Sequence, residues 1–216
     1  MGYTALIAGA SGLVGGHCLQ FLLDDDNCTK VISIGRRNLT VQHSKLQQEV
    51  VDFERLTDFA QLFEVDQVYC CLGTTIKKAG SKENFRKIDF DYPLNMAEVA
   101  EGNAHVFSII TAQGSDSKSP IFYNKVKGQV EDALQALQIE KINIIQPSLL
   151  LGSRAESRPG ETAAQGLFKV INPLFMGPLK KYKGIPVEQV AKAMFQLANN
   201  GPLGYHKYSS DQLWNY

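Results

Sequence analysis

Short apolar, β-branched runs alternate along this chain with longer amphipathic stretches, the rhythm expected when helices cover both faces of a parallel sheet. Six runs read as strands: Thr4 to Ala8, Lys30 to Ile34, Gln48 to Val51, Gln67 to Cys71, His105 to Ile110 and Ile142 to Gln146. Their spacing predicts an α/β, doubly wound, mostly parallel sheet. Between the first two, Val14, Cys18 and Leu22 recur at helical spacing before the acidic turn Asp24-Asp25-Asp26-Asn27, so a βαβ unit opens the chain. A second helix is predicted from about Lys118 to Gln138, where Val126, Val130, Ala133, Leu134 and Leu137 form one stripe. After Gln146 the rhythm loosens among Pro147, Pro159, Pro173, Pro178 and Pro186. Ligands in such folds lie beyond the carboxyl ends of the strands, so this small irregular segment is a natural substrate cover. A helix from Val187 to Asn199, a Gly201-Pro202 turn and a short strand near Tyr205 to Tyr208 close the domain.

The 216 residues suit a single domain, with 1–147 as the core and 148–216 as the substrate-side segment. Twenty-two basic and 22 acidic residues cancel, which leaves no global field to draw the protein to nucleic acid or anionic lipid. No apolar run approaches the ~18 residues that would span a bilayer, so no stable membrane insertion is expected. The apolar stretch that opens the chain stops at Gly9, too short for an export signal, and four cysteines show neither disulfide nor zinc spacing. A cytoplasmic protein is the expectation. Adjacent Cys70 and Cys71 read as small packing residues, and His17, His43, His105 and His206 lack ligand spacing.

Directly after the first strand stands Gly9-Ala10-Ser11-Gly12-Leu13-Val14-Gly15. Gly9 suits a sharp turn, Gly12 a close backbone approach to a pyrophosphate, and Gly15 tight packing of the helix on the sheet. With a strand before and a helix after, the context is that of a dinucleotide site whose phosphates meet the free amides of the helix N-terminus. No acidic residue lies between Lys30 and Leu39 to bind ribose hydroxyls; Arg36 and Arg37 are there instead and suit a 2′-phosphate, which favours NADP(H). After the third strand, Asp52-Phe53 is placed either to reach the adenine or, through Asp52, to cap the next helix. Leu72-Gly73-Thr74-Thr75 makes a further small-residue turn at the same sheet edge, beside the cofactor.

Tyr123 and Lys127, four apart on the second predicted helix, project from one face. A tyrosine has a reference pKa of about 10, and a neighbouring ammonium favours its phenolate, as carbonyl and alcohol interconversion requires. A hydroxyl to orient the substrate oxygen should come from the end of the fifth strand, where Thr111 stands, with Ser115 as competitor.

Assembled, these residues make the chain resemble the atypical short-chain dehydrogenases of the Tat-interacting-protein type. The likeness covers nearly the whole length. It is carried by Gly9-Ala10-Ser11-Gly12, Ile34-Gly35-Arg36-Arg37, Glu49-Val50-Val51-Asp52-Phe53, Cys70-Cys71-Leu72-Gly73-Thr74-Thr75, Tyr123 with Val126-Lys127-Gly128, and Glu156-Ser157-Arg158-Pro159-Gly160-Glu161. The resemblance implies a Rossmann fold, NADPH along the glycine turn and arginine pair, and a catalytic Ser/Thr, Tyr, Lys set. It also puts Pro147-Ser148-Leu149 on the nicotinamide side. Two departures stand out: Thr111-Ala112 replaces a pair of serines, and Asp89 stands where many extended short-chain dehydrogenases carry asparagine.

The expected function is an NADPH-dependent reductase or dehydrogenase acting on a small carbonyl or alcohol. A non-catalytic NADPH sensor that regulates a protein partner, and an isomerase or epimerase that returns the hydride within one cycle, are the alternatives. Leu167 to Met176 is expected to cover the core, with Arg154 and Arg158 either gripping an anionic substrate or solvated.

Overall fold

A computed structural model describes residues 2–152 and 183–216. The segment from Glu156 to Glu161, the stretch Leu167 to Met176, and Arg154 and Arg158 lie outside the described residues.

The core is a seven-stranded sheet built from β1 (Tyr3–Ala8), β2 (Cys28–Gly35), β3 (Leu46–Val50), β4 (Gln67–Cys70), β5 (Val106–Ile110), β6 (Lys141–Gln146) and β9 (Gly204–Ser209), in the order β3-β2-β1-β4-β5-β6-β9. Every pairing is parallel. The expected α/β doubly wound sheet is therefore present, and the run near Tyr205 is its seventh strand. A short ladder joins β7 (Leu150–Leu151) to β8 (Ile185–Pro186).

Period-two alternation splits β1 between two cores. Ala5 and Ile7 face α1 (Leu13–Asp24) and α6 (Val187–Asn200), while Leu6 and Ala8 face α4 (Tyr92–Ala100) and α5 (Phe122–Leu134). The α1 stripe of Val14, Cys18 and Leu22 is buried as its spacing requires.

Some boundaries differ from the sequence reading. β3 runs Leu46–Val50 rather than Gln48 to Val51, being a largely polar edge strand, and β5 begins at Val106 rather than His105. α5 begins at Phe122, not Lys118, because the proline in Ser119-Pro120 disfavours helix just before it, and it ends at Leu134 rather than Gln138. Between β4 and β5 the chain forms α2 (Ile76–Ala79) and α3 (Lys82–Arg86), then a π turn over Lys87–Asp91 that leads into α4. Among the described residues no helix is long and apolar enough to cross a membrane.

Candidate active site

Because the main sheet is all parallel, the loops after β1, β2, β3, β4, β5 and β6 gather at one edge. The strand order reverses between β1 and β4, where a crevice opens in such sheets. Gly9 adopts φ +85°, and its carbonyl accepts from the Gly12 amide at 2.8 Å. A Cβ on Gly15 would stand 2.2 Å from that carbonyl oxygen, so the helix rests directly on the turn. Gly12 is the N-cap of α1 and no side chain caps it. The first-turn amides beyond it, at Leu13, Val14 and Gly15, are thus available to an anion, and Ser11 and Gly12 are exposed at the mouth.

Arg36 and Arg37 are both exposed just beyond β2. Asp52 accepts the Glu54 amide at 2.9 Å and so closes a local turn, whereas the N-cap position of the next helical turn is Arg55. The Phe53 ring is buried and stacked on Tyr92 at 5.4 Å, which leaves its backbone to face any ligand. In the loop after β4, Leu72 is half-buried, Gly73 is exposed, and Thr75 caps α2 by accepting the Lys78 amide at 3.2 Å.

Thr111 is buried and donates to the Ile145 carbonyl at 3.4 Å; Ser115 donates to the Ala112 carbonyl at 2.7 Å. The Thr111 bond is the longer of the two, while Ser115 is the less buried of the two residues. The Asp116-Ser117 backbone lies against α5 at Gly128, where a Cβ would come within 2.1 Å of the Ser117 nitrogen. Pro147 accepts the Gln113 amide at 2.8 Å, Ser148 donates to the Lys183 carbonyl and accepts from Ser210 at 2.9 Å, and Leu149 is exposed.

Tyr123 is half-buried, with Phe85 5.4 Å away, and Lys127 follows one turn later with only 5% of its side chain exposed. The Lys127 ammonium is 2.8 Å from Asp89 Oδ1, and the Asp89 side chain has no exposure at all. Asp89 Oδ2 accepts the Thr74 amide at 2.9 Å, and Lys127 also donates to the Ile110 carbonyl at 3.4 Å. Burial works against the lysine's charge, but the Asp89 carboxylate and then Tyr123 outweigh it and hold the ammonium above its ordinary value. Asp89 was legible only as a departure from asparagine; its partner lies on another element, and no local spacing announces the pair.

Cys70 is fully buried and desolvation pushes its thiol up to about 12, as suits packing rather than nucleophilic work. No cluster able to hold a metal occurs among the described residues. An open cavity of about 530 Å³ lined by Tyr3, Phe21, Asp25, Phe195 and Asn199 sits at the opposite ends of the strands and plays no part in this arrangement.

Fold and site together define a Rossmann-type α/β protein of the short-chain dehydrogenase class. A model of the NAD dependent epimerase/dehydratase family matches residues 5–121, and the chain belongs to that family. It is 37% identical over 196 residues to Protein HTATIP2 of Rattus norvegicus, covering 88% of this chain and 79% of that one. It is 34% identical over 173 residues to the protein fmp52, mitochondrial, of Emericella nidulans, covering 76% and 74%. The crystal structure of the Bordetella bronchiseptica enzyme WbmH in complex with NAD+ superposes with a TM-score of 0.71 at 18% identity, over 97% of this chain and 76% of that one.

Proposed function

We propose that the protein is an NADP(H)-dependent oxidoreductase that interconverts a small carbonyl and its alcohol. The observation that carries this reading is the meeting at one sheet edge of the uncapped α1 N-terminus with Tyr123 and Lys127 on α5. The diphosphate would rest on the α1 amides, Arg36 and Arg37 would hold a 2′-phosphate, and the loops at 72–75 and 147–149 would flank the nicotinamide half. The cofactor supplies or accepts the hydride. Thr111 donates to the substrate oxygen, Tyr123 gives that oxygen a proton in the reductive direction, and Lys127 steadies the charge that develops on Tyr123. Four unpaired cysteines suit action in the reducing cytoplasm. The family description favours one second reading, an epimerase that returns the hydride and shows no net cofactor oxidation.

The test begins by denaturing freshly purified protein and identifying any dinucleotide released. Thermal shift titrations then compare NADPH with NADH. At about 100 times Kd the preferred cofactor should add ~2.7 kcal/mol. Replacing both Arg36 and Arg37 by Ala is expected to remove most of the NADPH shift and spare the NADH shift. A larger wild-type shift with NADH than with NADPH would overturn the role given to the arginines.

A further inference from the structure

The least expected feature of the site is the buried carboxylate behind its lysine. We propose that Asp89 is a positioning residue that acts through Lys127: it keeps the lysine charged in a place closed to water and ties it to the loop after β4 through the Thr74 amide. The inference rests on the reading of Tyr123 and Lys127 given above.

Geometry carries the argument. Lys127 and Asp89 sit 2.8 Å apart with 5% and 0% side-chain exposure, so neither charge has solvent to fall back on. The groups facing the ammonium are few among the described residues. They are Asp89 from the π turn, Tyr123 from α5 itself, the Cys70 thiol from β4 and the Ile110 carbonyl from β5. Cys70 stays neutral through the ordinary pH range, so Asp89 is the counter-ion. Without it, a buried lysine left with the Ile110 carbonyl at 3.4 Å and the Tyr123 side chain gives up its proton. The second oxygen of the same carboxylate accepts the Thr74 amide, so one side chain sets both the loop expected beside the cofactor and the lysine expected beside Tyr123. The π turn that places Asp89 thus has a function that its short length conceals.

The test compares the Tm of wild type and Asp89→Asn from about pH 6 to about pH 9 with no substrate present. In wild type, Lys127 is protonated whether folded or unfolded, since its folded pKa lies above the unfolded value; its contribution is full below the unfolded pKa of about 10.4 and fades only as pH rises through the folded one. In Asp89→Asn the folded protein holds a neutral lysine and the unfolded chain a charged one, so stability rises with pH. The Tm gap to wild type should therefore narrow by about 3 °C per pH unit, and adding Lys127→Met to the variant should flatten it. A gap that stays constant with pH would reduce Asp89 to packing and overturn the proposal.

If Asp89→Asn does not fold, Lys127→Met alone reads the pair from the other side. Its carboxylate is left buried without a counter-charge, so Lys127→Met should melt well below wild type and adding Asp89→Asn should recover much of that loss; a double variant that melts no higher overturns the proposal. In turnover, the alkaline limb of the Asp89→Asn profile should move to lower pH, and Asp89→Glu should restore it. An unmoved limb would count against the proposal. Absence of turnover in wild type would refute the oxidoreductase reading while leaving the stability slopes to decide the role of Asp89.

Discussion

Phenylalanine in place of Tyr123 is expected to lower kcat/KM for carbonyl reduction by about 10²–10⁴-fold, the usual worth of a positioned proton donor, and to leave the NADPH thermal shift nearly unchanged. The ring is half-buried with Phe85 5.4 Å away, so removing one hydroxyl keeps that packing. Lys127 still has Asp89 and the Ile110 carbonyl to hold it. The lost function would therefore be chemical rather than structural, and thermal melts of the two proteins side by side would show it. The same substitution separates an enzyme from a sensor. A sensor would retain cofactor affinity and partner binding, whereas an enzyme would retain only the first. Wild-type rates in Tyr123→Phe would remove Tyr123 from the mechanism.

The second large effect concerns Gly15. A methyl group there would stand 2.2 Å from the Gly9 carbonyl oxygen, 2.8 Å from its carbonyl carbon and 3.1 Å from the Ala10 Cα, all of them backbone atoms. Nothing can rotate away, so the turn or the helix has to move. Gly15→Ala is expected to cost about 1–3 kcal/mol of stability, a Tm fall of about 2–4 °C for each kcal/mol in a domain of this size. It should also abolish the NADPH shift, because the displaced turn is the one that presents the α1 amides. Gly16→Ala is the control. Its Cβ would meet only the Ala10 carbonyl oxygen at an ordinary 3.5 Å, and replacing an exposed glycine inside a helix should raise stability by about 0.5–1 kcal/mol. Equal losses at both positions would show that the close approach at Gly15 is not what matters.

Much of this architecture could be read from residue order because its signals are local. The unbroken apolar run Ala5-Leu6-Ile7-Ala8 marks a strand buried on both faces, and the structure divides those residues between two cores. The Gly9 to Gly15 spacing marks a turn followed by close packing, and both are present. Residues 76–100 were harder to read. They break into α2, α3, a π turn and α4, and only tertiary packing holds such short pieces. Asp52 was expected to reach the adenine or to cap the next helix; the structure shows it closing a turn at Glu54 that the spacing did not announce, with the cap position at Arg55. The Asp89 and Lys127 pair was illegible for a different reason: its members lie on separate elements that only the completed fold brings together.

The final strand has a bearing on how the protein is made. Just past β9, the Ser210 hydroxyl donates to Ser148 in the loop after β6, and its amide donates to Gln113 in the loop after β5 at 3.2 Å. A chain leaving the ribosome can form its opening βαβ unit early. The loops that carry Gln113 and Ser148 gain this clasp only once residue 210 has emerged, so a stalled nascent chain should show an opening βαβ unit that is already ordered and a pair of loops that is not.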